Sequence, residues 1–178
     1  SKLSFETYMR GIEASGGNGY TDNIFSFYNA NGTAQGIALH FDGIGSIGRI
    51  ALSLEGFGGV GFSQFFITPP GYQNDDPTLE RTPSMASFKH IVVTIDTTQA
   101  SGQQVRVYVD GVQAAPTAFL NIAQNTVFSG IDLVPFVTRR KTGGGPTISA
   151  RGNTQVKYVR AYDGVLTQTQ ITSLFTNR

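Results

Sequence analysis

The chain has 178 residues, 14% of them charged, and a formal net charge of +1. That length suits one domain with a substantial buried core, and that charge leaves neither a nucleic-acid footprint nor a disordered acidic tail. With no cysteine there is no disulfide, thiol nucleophile or cysteine-held zinc, and no run approaches the roughly 18 apolar residues of a membrane span.

The opening SKLSFETYMRG lacks the apolar core of a signal peptide. It reads as a strand already under way, over 3–13, in a mature or excised segment of something longer, with Leu3, Phe5 and Tyr8 near its apolar positions. Strands follow at Asn23–Tyr28 and Gly36–Phe41. Between them Asn31-Gly32 is a strong hairpin signal, because type I′ turns need positive φ. Gly48–Glu55 and Val60–Thr68 continue the meander through Gly58-Gly59. The pattern then stops. Pro69–Ser87 holds four prolines and no period, so a long surface loop is expected, and loops of this length are often functional.

From Phe88 to Gln113 the chain reads FKHIVVTIDTTQASGQQVRVYVDGVQ. Ile91, Val93 and Ile95 alternate with His90, Val92 and Thr94; Val105, Val107 and Val109 alternate with Arg106, Tyr108 and Asp110. Period two predicts one face on the core and one in solvent. Asp110-Gly111 supplies the next turn. A strand is expected around Thr126–Val137, then a glycine-rich turn at 142–146. The cluster Arg139-Arg140-Lys141 beside it reads as a solvated loop rather than an anion site. A last strand, Thr154–Tyr162, alternates Val156, Tyr158 and Tyr162 with Lys157 and Arg160. Thr167 followed by Gln170 fits a capping box, and Val165, Ile171, Leu174 and Phe175 make one apolar stripe on a short terminal helix. No internal repeat or domain boundary interrupts residues 1–178.

The strand–loop–YVDG hairpin resembles the signature hairpin of laminin-G-like domains in the concanavalin A-like lectin/glucanase superfamily. The YVRAYDGVLT…ITSLF ending and the FETYMRG opening are similar to the ends of such domains, so the resemblance spans nearly the whole chain. It implies one all-β domain: an antiparallel two-sheet β-sandwich of the jelly-roll type with a short C-terminal helix. It also implies an extracellular or cell-surface place and a binding role more often than a catalytic one. The pattern departs from the family in one respect. An extra strand that commonly precedes the FETYMRG-like one is missing or truncated. Its absence would open a sheet edge to self-association or strand exchange, unless another segment covers the edge or the chain is cut there.

Glycosidases of this superfamily carry E-x-D-x-E on one strand, since alternate residues bring two carboxylates to one bond. No such triplet occurs. Glu6 and Glu13 lie too far apart, and Asp75-Asp76 point to opposite faces or sit in a loop. His40 and His90, the only histidines, read as solvent-facing or hydrogen-bonded structural residues in the absence of a nucleophile elbow. GFGGVG at 56–61 lacks the Lys-Ser/Thr of a phosphate loop and reads as a turn.

The resemblance implies calcium at the sandwich rim. Asp22, just before NIFSFY, matches the family's acidic position, and Asp132 is a candidate second oxygen donor, each weighed against a turn-capping role. Sugar binding calls for an aromatic platform and planar polar groups. Tryptophan is absent, which leaves Tyr72, Tyr20 and Tyr28 as platforms, with Asn74 and Asp75 beside Tyr72 for hydroxyls; packing of the loop onto the sandwich is the alternative for Tyr72. Asn31-Gly32-Thr33 fits a glycosylation sequon, though a turn accounts for it as well. The function expected is non-catalytic recognition of a glycan or glycoprotein, calcium optional, with no nucleic acid and no membrane insertion. The alternative is an assembly subunit of a surface filament, virion or appendage, and a glycoside-active enzyme ranks third.

Overall fold

In the computed structural model, residues 1–10, 88–114, 122–128 and 155–178 are described in backbone and side chain, and strands at 21–29, 36–42, 49–55, 62–67, 131–135, 139–142 and 145–148 by their backbone pairing. The predicted loop at 69–87, the Asn31-Gly32 turn and the 56–61 glycines lie outside the described residues.

The β-branched and aromatic residues form strands, because such side chains fit a pleated, half-buried surface. The opening segment is β1 (Lys2–Arg10), followed by β2 (Thr21–Asn29), β3 (Gly36–Asp42), β4 (Arg49–Glu55) and β5 (Phe62–Ile67). The central hairpin is β6 (Lys89–Asp96) and β7 (Val105–Val109), with β8 (Val112–Ala114) after it. Then come β9 (Ile131–Pro135), β10 (Arg139–Thr142), β11 (Gly145–Ile148), β12 (Gln155–Asp163) and the helix α1 (Gln168–Thr176). One antiparallel sheet has the order β12-β1-β6-β7-β8, another β5-β4-β3-β2-β9, and β10-β11 forms a separate pair.

Two boundaries differ from the sequence reading. Strand β9 begins at Ile131 rather than near Thr126. Asn125 has φ +64°, and both the amide and the hydroxyl of Thr126 donate to the Ala123 carbonyl, so 122–128 is turned upon itself. The cluster Arg139-Arg140-Lys141, expected in a loop, is strand β10 paired with β11. Backbone pairing makes a strand there without the apolar alternation by which strands are read.

Register fixes the two faces of the first sheet. Phe5 lies opposite Val93, which lies opposite Val107; Thr7 lies opposite Ile91, which lies opposite Val109. Phe5, Met9, Ile91, Val93, Ile95, Val105, Val107 and Val109 are buried, and this is the core face. The other face differs from expectation. His90, Val92 and Thr94 are buried too, not solvated. Helix α1 is the reason: Ile171 packs on Val92 and Tyr108 with Leu166 beside them, and the Phe175 ring lies 6.0 Å from that of His90.

The helix is held at its start as the sequence predicts. The Gln170 amide donates to the Thr167 hydroxyl at 3.3 Å and the Thr167 amide to the Gln170 side chain at 2.8 Å, a reciprocal capping box. Buried Ser4 fastens the preceding turn, donating to the Gly164 carbonyl at 2.8 Å and accepting from the Leu166 amide at 3.0 Å. Of the predicted apolar stripe, Ile171 is buried and Leu174 and Phe175 are partly so, while Val165 stands exposed.

The Asp110-Gly111 turn joins the hairpin to α1. Both residues have positive φ, +51° and +80°, as a two-residue I′ loop requires. The Asp110 carboxylate accepts from the His90 amide at 3.0 Å and from Lys89 Nζ at 2.8 Å, and Gln168 donates to the Gly111 carbonyl at 2.7 Å. A Cβ at Gly111 would meet Phe175 Cδ1 at 3.3 Å in a left-handed backbone. Gly111→Ala is therefore expected to cost about 1–2 kcal/mol in urea unfolding, and a loss below a few tenths would show that Phe175 is not seated there.

Candidate functional site

The α1-side face of the first sheet carries a buried polar centre. Glu6 on β1 lies opposite Arg160 on β12 and Val92 on β6. Arg160, expected to alternate with Tyr158 and Tyr162, instead shares their face: period two puts both tyrosines, two residues either side of it, and His90, two residues from Val92, on the face of Glu6. All four donate to its carboxylate: His90 Nε2 at 2.9 Å, Tyr158 Oη at 3.0 Å, Arg160 at 3.3 Å, and Tyr162 Oη. Glu6 and His90 are fully buried; Arg160 is half exposed. Burial pushes the Glu6 carboxyl up, but the hydrogen bonds from Tyr162, His90 and Tyr158 and the charge of Arg160 outweigh it and hold the group below its ordinary value of 4.5. The Tyr158 phenol moves the other way, to about 12, through burial and then through its bond to Glu6 and that residue's charge.

This arrangement tunes neither group as a proton-donating carboxyl or a phenolate nucleophile. A general acid needs a raised carboxyl and a nucleophilic phenol a lowered one. Glu6 is held ionised and Tyr158 protonated, the reverse of both.

Two depressions open on the same face. One, of about 360 Å³, runs between β6-β7-β8 and the start of α1; Asp96, Gln99, Gln103, Arg106, Gln113 and Gln168 give it planar polar groups, while its tyrosine, Tyr108, is buried. The other, of about 600 Å³, lies where β1 ends, β12 begins and α1 ends, and is lined by Tyr8, Lys157, Tyr158, Phe175, Thr176 and Arg178. Its rings are close: Tyr8 is 5.1 Å from Phe88 and 6.1 Å from Tyr158. Amides and carboxylates suit sugar hydroxyls, and tilted rings beside open space suit a pyranose face.

Of the residues expected from the sequence, Asp22, Tyr28 and Asp132 lie on strands of the other sheet. Tyr72, Tyr20, Asn74 and Asp75 lie outside the described residues. Tyr28 and Asp132 are brought together, opposite each other across β2 and β9, whereas Asp22 pairs with Phe41. Positions 22 and 28 are six residues apart on one strand, roughly 20 Å at about 3.3 Å per residue. Among the described residues no group of three or more histidines or acids is placed to hold a metal, and no helix is long and apolar enough to cross a membrane.

The sequence reading passed over the Glu6 centre and the Tyr8 corner. The Tyr-x-Arg-x-Tyr spacing of 158–162 was a signal, since it places three donors on one strand face; the acceptor, more than 150 residues earlier, was not readable.

No family model matches the chain, and no curated protein matches it in sequence. Solved structures do match in fold. A native heptameric SAP-like pentraxin from Limulus polyphemus superposes with TM-score 0.57 at 16% identity, over 98% of this chain and 75% of the pentraxin. The CBM40 module of the Ruminococcus gnavus IT-sialidase gives TM-score 0.57 at 13% identity, over 98% of this chain and 83% of the module. The NanB sialidase of Streptococcus pneumoniae matches 97% of this chain with 23% of its own length, at TM-score 0.58 and 12% identity. The fold is thus the β-rich one these structures share, with a short C-terminal helix.

Proposed function

We propose that this chain is a non-catalytic, extracellular glycan-recognition domain, a two-sheet sandwich of the laminin-G-like type within the lectin-like fold. The observation that carries the reading is the fold match over 98% of the chain to a carbohydrate-binding module, a module also solved with α2,3- and α2,6-sialyllactose bound. The Glu6 carboxylate, held ionised by four donors, supports the non-catalytic part, and the polar groove and ringed corner offer sugar-sized surfaces. Tyr72, Tyr20 and Tyr28 are the proposed stacking residues, with Asn74 and Asp75 for hydroxyls. Calcium assistance would call on Asp22, with Asp132 as a second oxygen donor.

A glycan array followed by calorimetry tests this. Tyr72→Ala is expected to weaken the best glycan at least tenfold with an unchanged melting temperature, and repeating the titration in chelator tests calcium. Wild-type silence across the array removes the reading.

A second reading, an assembly subunit, rests on β12, which among the described residues ends its sheet with β1 as its one paired neighbour. Lys157, Arg160 and Asp163 stand exposed along it, and charges of this kind oppose strand addition. Concentration-dependent sedimentation would favour assembly; a monomer at high concentration would dismiss it.

A further inference from the structure

The corner at the end of α1 gathers more positive charge than its surroundings balance. Lys157 Nζ lies 4.6 Å from the Phe88 ring centre and 5.0 Å from that of Tyr8. The Arg178 guanidinium lies 3.8 Å from the Phe175 ring and 5.2 Å from that of Tyr8. Arg10 lies 5.1 Å from Phe88 and donates to the Gln155 side chain at 2.8 Å. Three cations thus converge on a short row of rings.

The acids with described side chains are engaged elsewhere. Glu6 takes Arg160, Asp96 lies 3.6 Å from Lys2, and Asp110 takes Lys89. Asp163 lies opposite Leu3, at the far end of β12 from Lys157. Among the described residues no carboxylate pairs with Arg10, Lys157 or Arg178. In a chain whose net charge is only +1, Lys157 and Arg178 on one open depression of about 600 Å³, with Arg10 over the adjoining Phe88 ring, form a local excess. Cation–π contacts offset part of the repulsion, and an anion seated among them would offset the rest.

We propose that this corner binds the acidic group of a carboxylate- or sulfate-bearing saccharide, with Lys157 and Arg178 supplying the charge and Tyr8 a ring for the sugar. The chemistry selects the ligand class. A guanidinium offers a planar donor pair to a carboxylate or sulfate and an ammonium offers a point charge. The rings leave an apolar surface for the C–H face of a pyranose. The proposal deepens the glycan reading and rests on it. It uses the face that α1 covers in part.

The test is calorimetric titration of the intact chain with 3′-sialyllactose, a sulfated lactose, lactose and a short single-stranded DNA. Binding of either acidic sugar at least tenfold tighter than lactose, weakening as salt is raised, is the expected result. Which acidic sugar binds tells carboxylate from sulfate. The double variant Lys157→Gln/Arg178→Gln, altered at two exposed side chains, should lose at least tenfold in that affinity while its melting temperature and any lactose binding stay unchanged. Equal affinity for acidic and neutral sugars, or an unaffected double variant, overturns the corner and leaves the glycan reading standing. DNA binding as strong as the acidic sugars overturns it as a nonspecific anion patch. Silence toward every sugar overturns both readings.

Discussion

Replacing Glu6 by glutamine is expected to lower the free energy of unfolding by about 3 kcal/mol, the scale on which losing one partner of a buried ionic centre is felt. The carboxylate accepts from His90, Tyr158, Tyr162 and Arg160 at once. An amide keeps one accepting oxygen and turns an NH2 toward donors, so at least one buried donor loses its partner. The loss should also depend on pH. Because the folded carboxyl titrates below its ordinary 4.5, its stabilisation is complete above the unfolded value and is lost as pH falls through the folded one. Wild type and Glu6→Gln should therefore differ most at pH 7 and converge toward pH 3. Asp96, held at about 2 first by the Thr98 hydroxyl, adds its own acid limb, lost between its ordinary 3.8 and that lower value, in both proteins alike. Urea unfolding at pH 7, 5 and 3 measures this, and a difference constant across that range would refute a charged Glu6 as the organising group.

Ile171→Ala is expected to cost about 3 kcal/mol, within the range for truncating a buried isoleucine. Ile171 is fully buried and is the side chain by which α1 seats on Val92 and Tyr108. The capping box should still mark where the helix starts, but a nine-residue helix has little stability apart from its packing. Amide exchange in 168–176 should speed up far more than in β1 and β6. Since α1 carries Phe175 and Arg178 to the corner, acidic-sugar affinity should fall as well. A loss under 1 kcal/mol with unchanged exchange would mean that α1 is held by its ends rather than by this residue.

The central hairpin shows how much could be read early. IVVTI and VRVYV are strands by local propensity, and Asp-Gly is a turn because two positive φ values suit few other pairs. The helix start was equally legible, since a capping box is a bargain between residues three apart. The short strands β10 and β11 were not, because a cationic run carries no apolar period. Nor was the burial of His90, Val92 and Thr94, because alternation separates the two faces of a strand but does not say what covers each.

The Glu6 centre and the Tyr8 corner divide the same way. Local sequence determined the strands, the I′ turn, the capped helix and the two faces of each strand, since these depend on neighbours within a few residues. Tertiary pairing decided the rest. It set Glu6 opposite Arg160, at a separation of 154 residues, brought Tyr8 against Phe88 and Tyr158, and laid the end of α1 beside them. Register between distant strands depends on how whole faces bury against one another, so the donors and acceptor of a site can each be visible in the chain while the site itself is not.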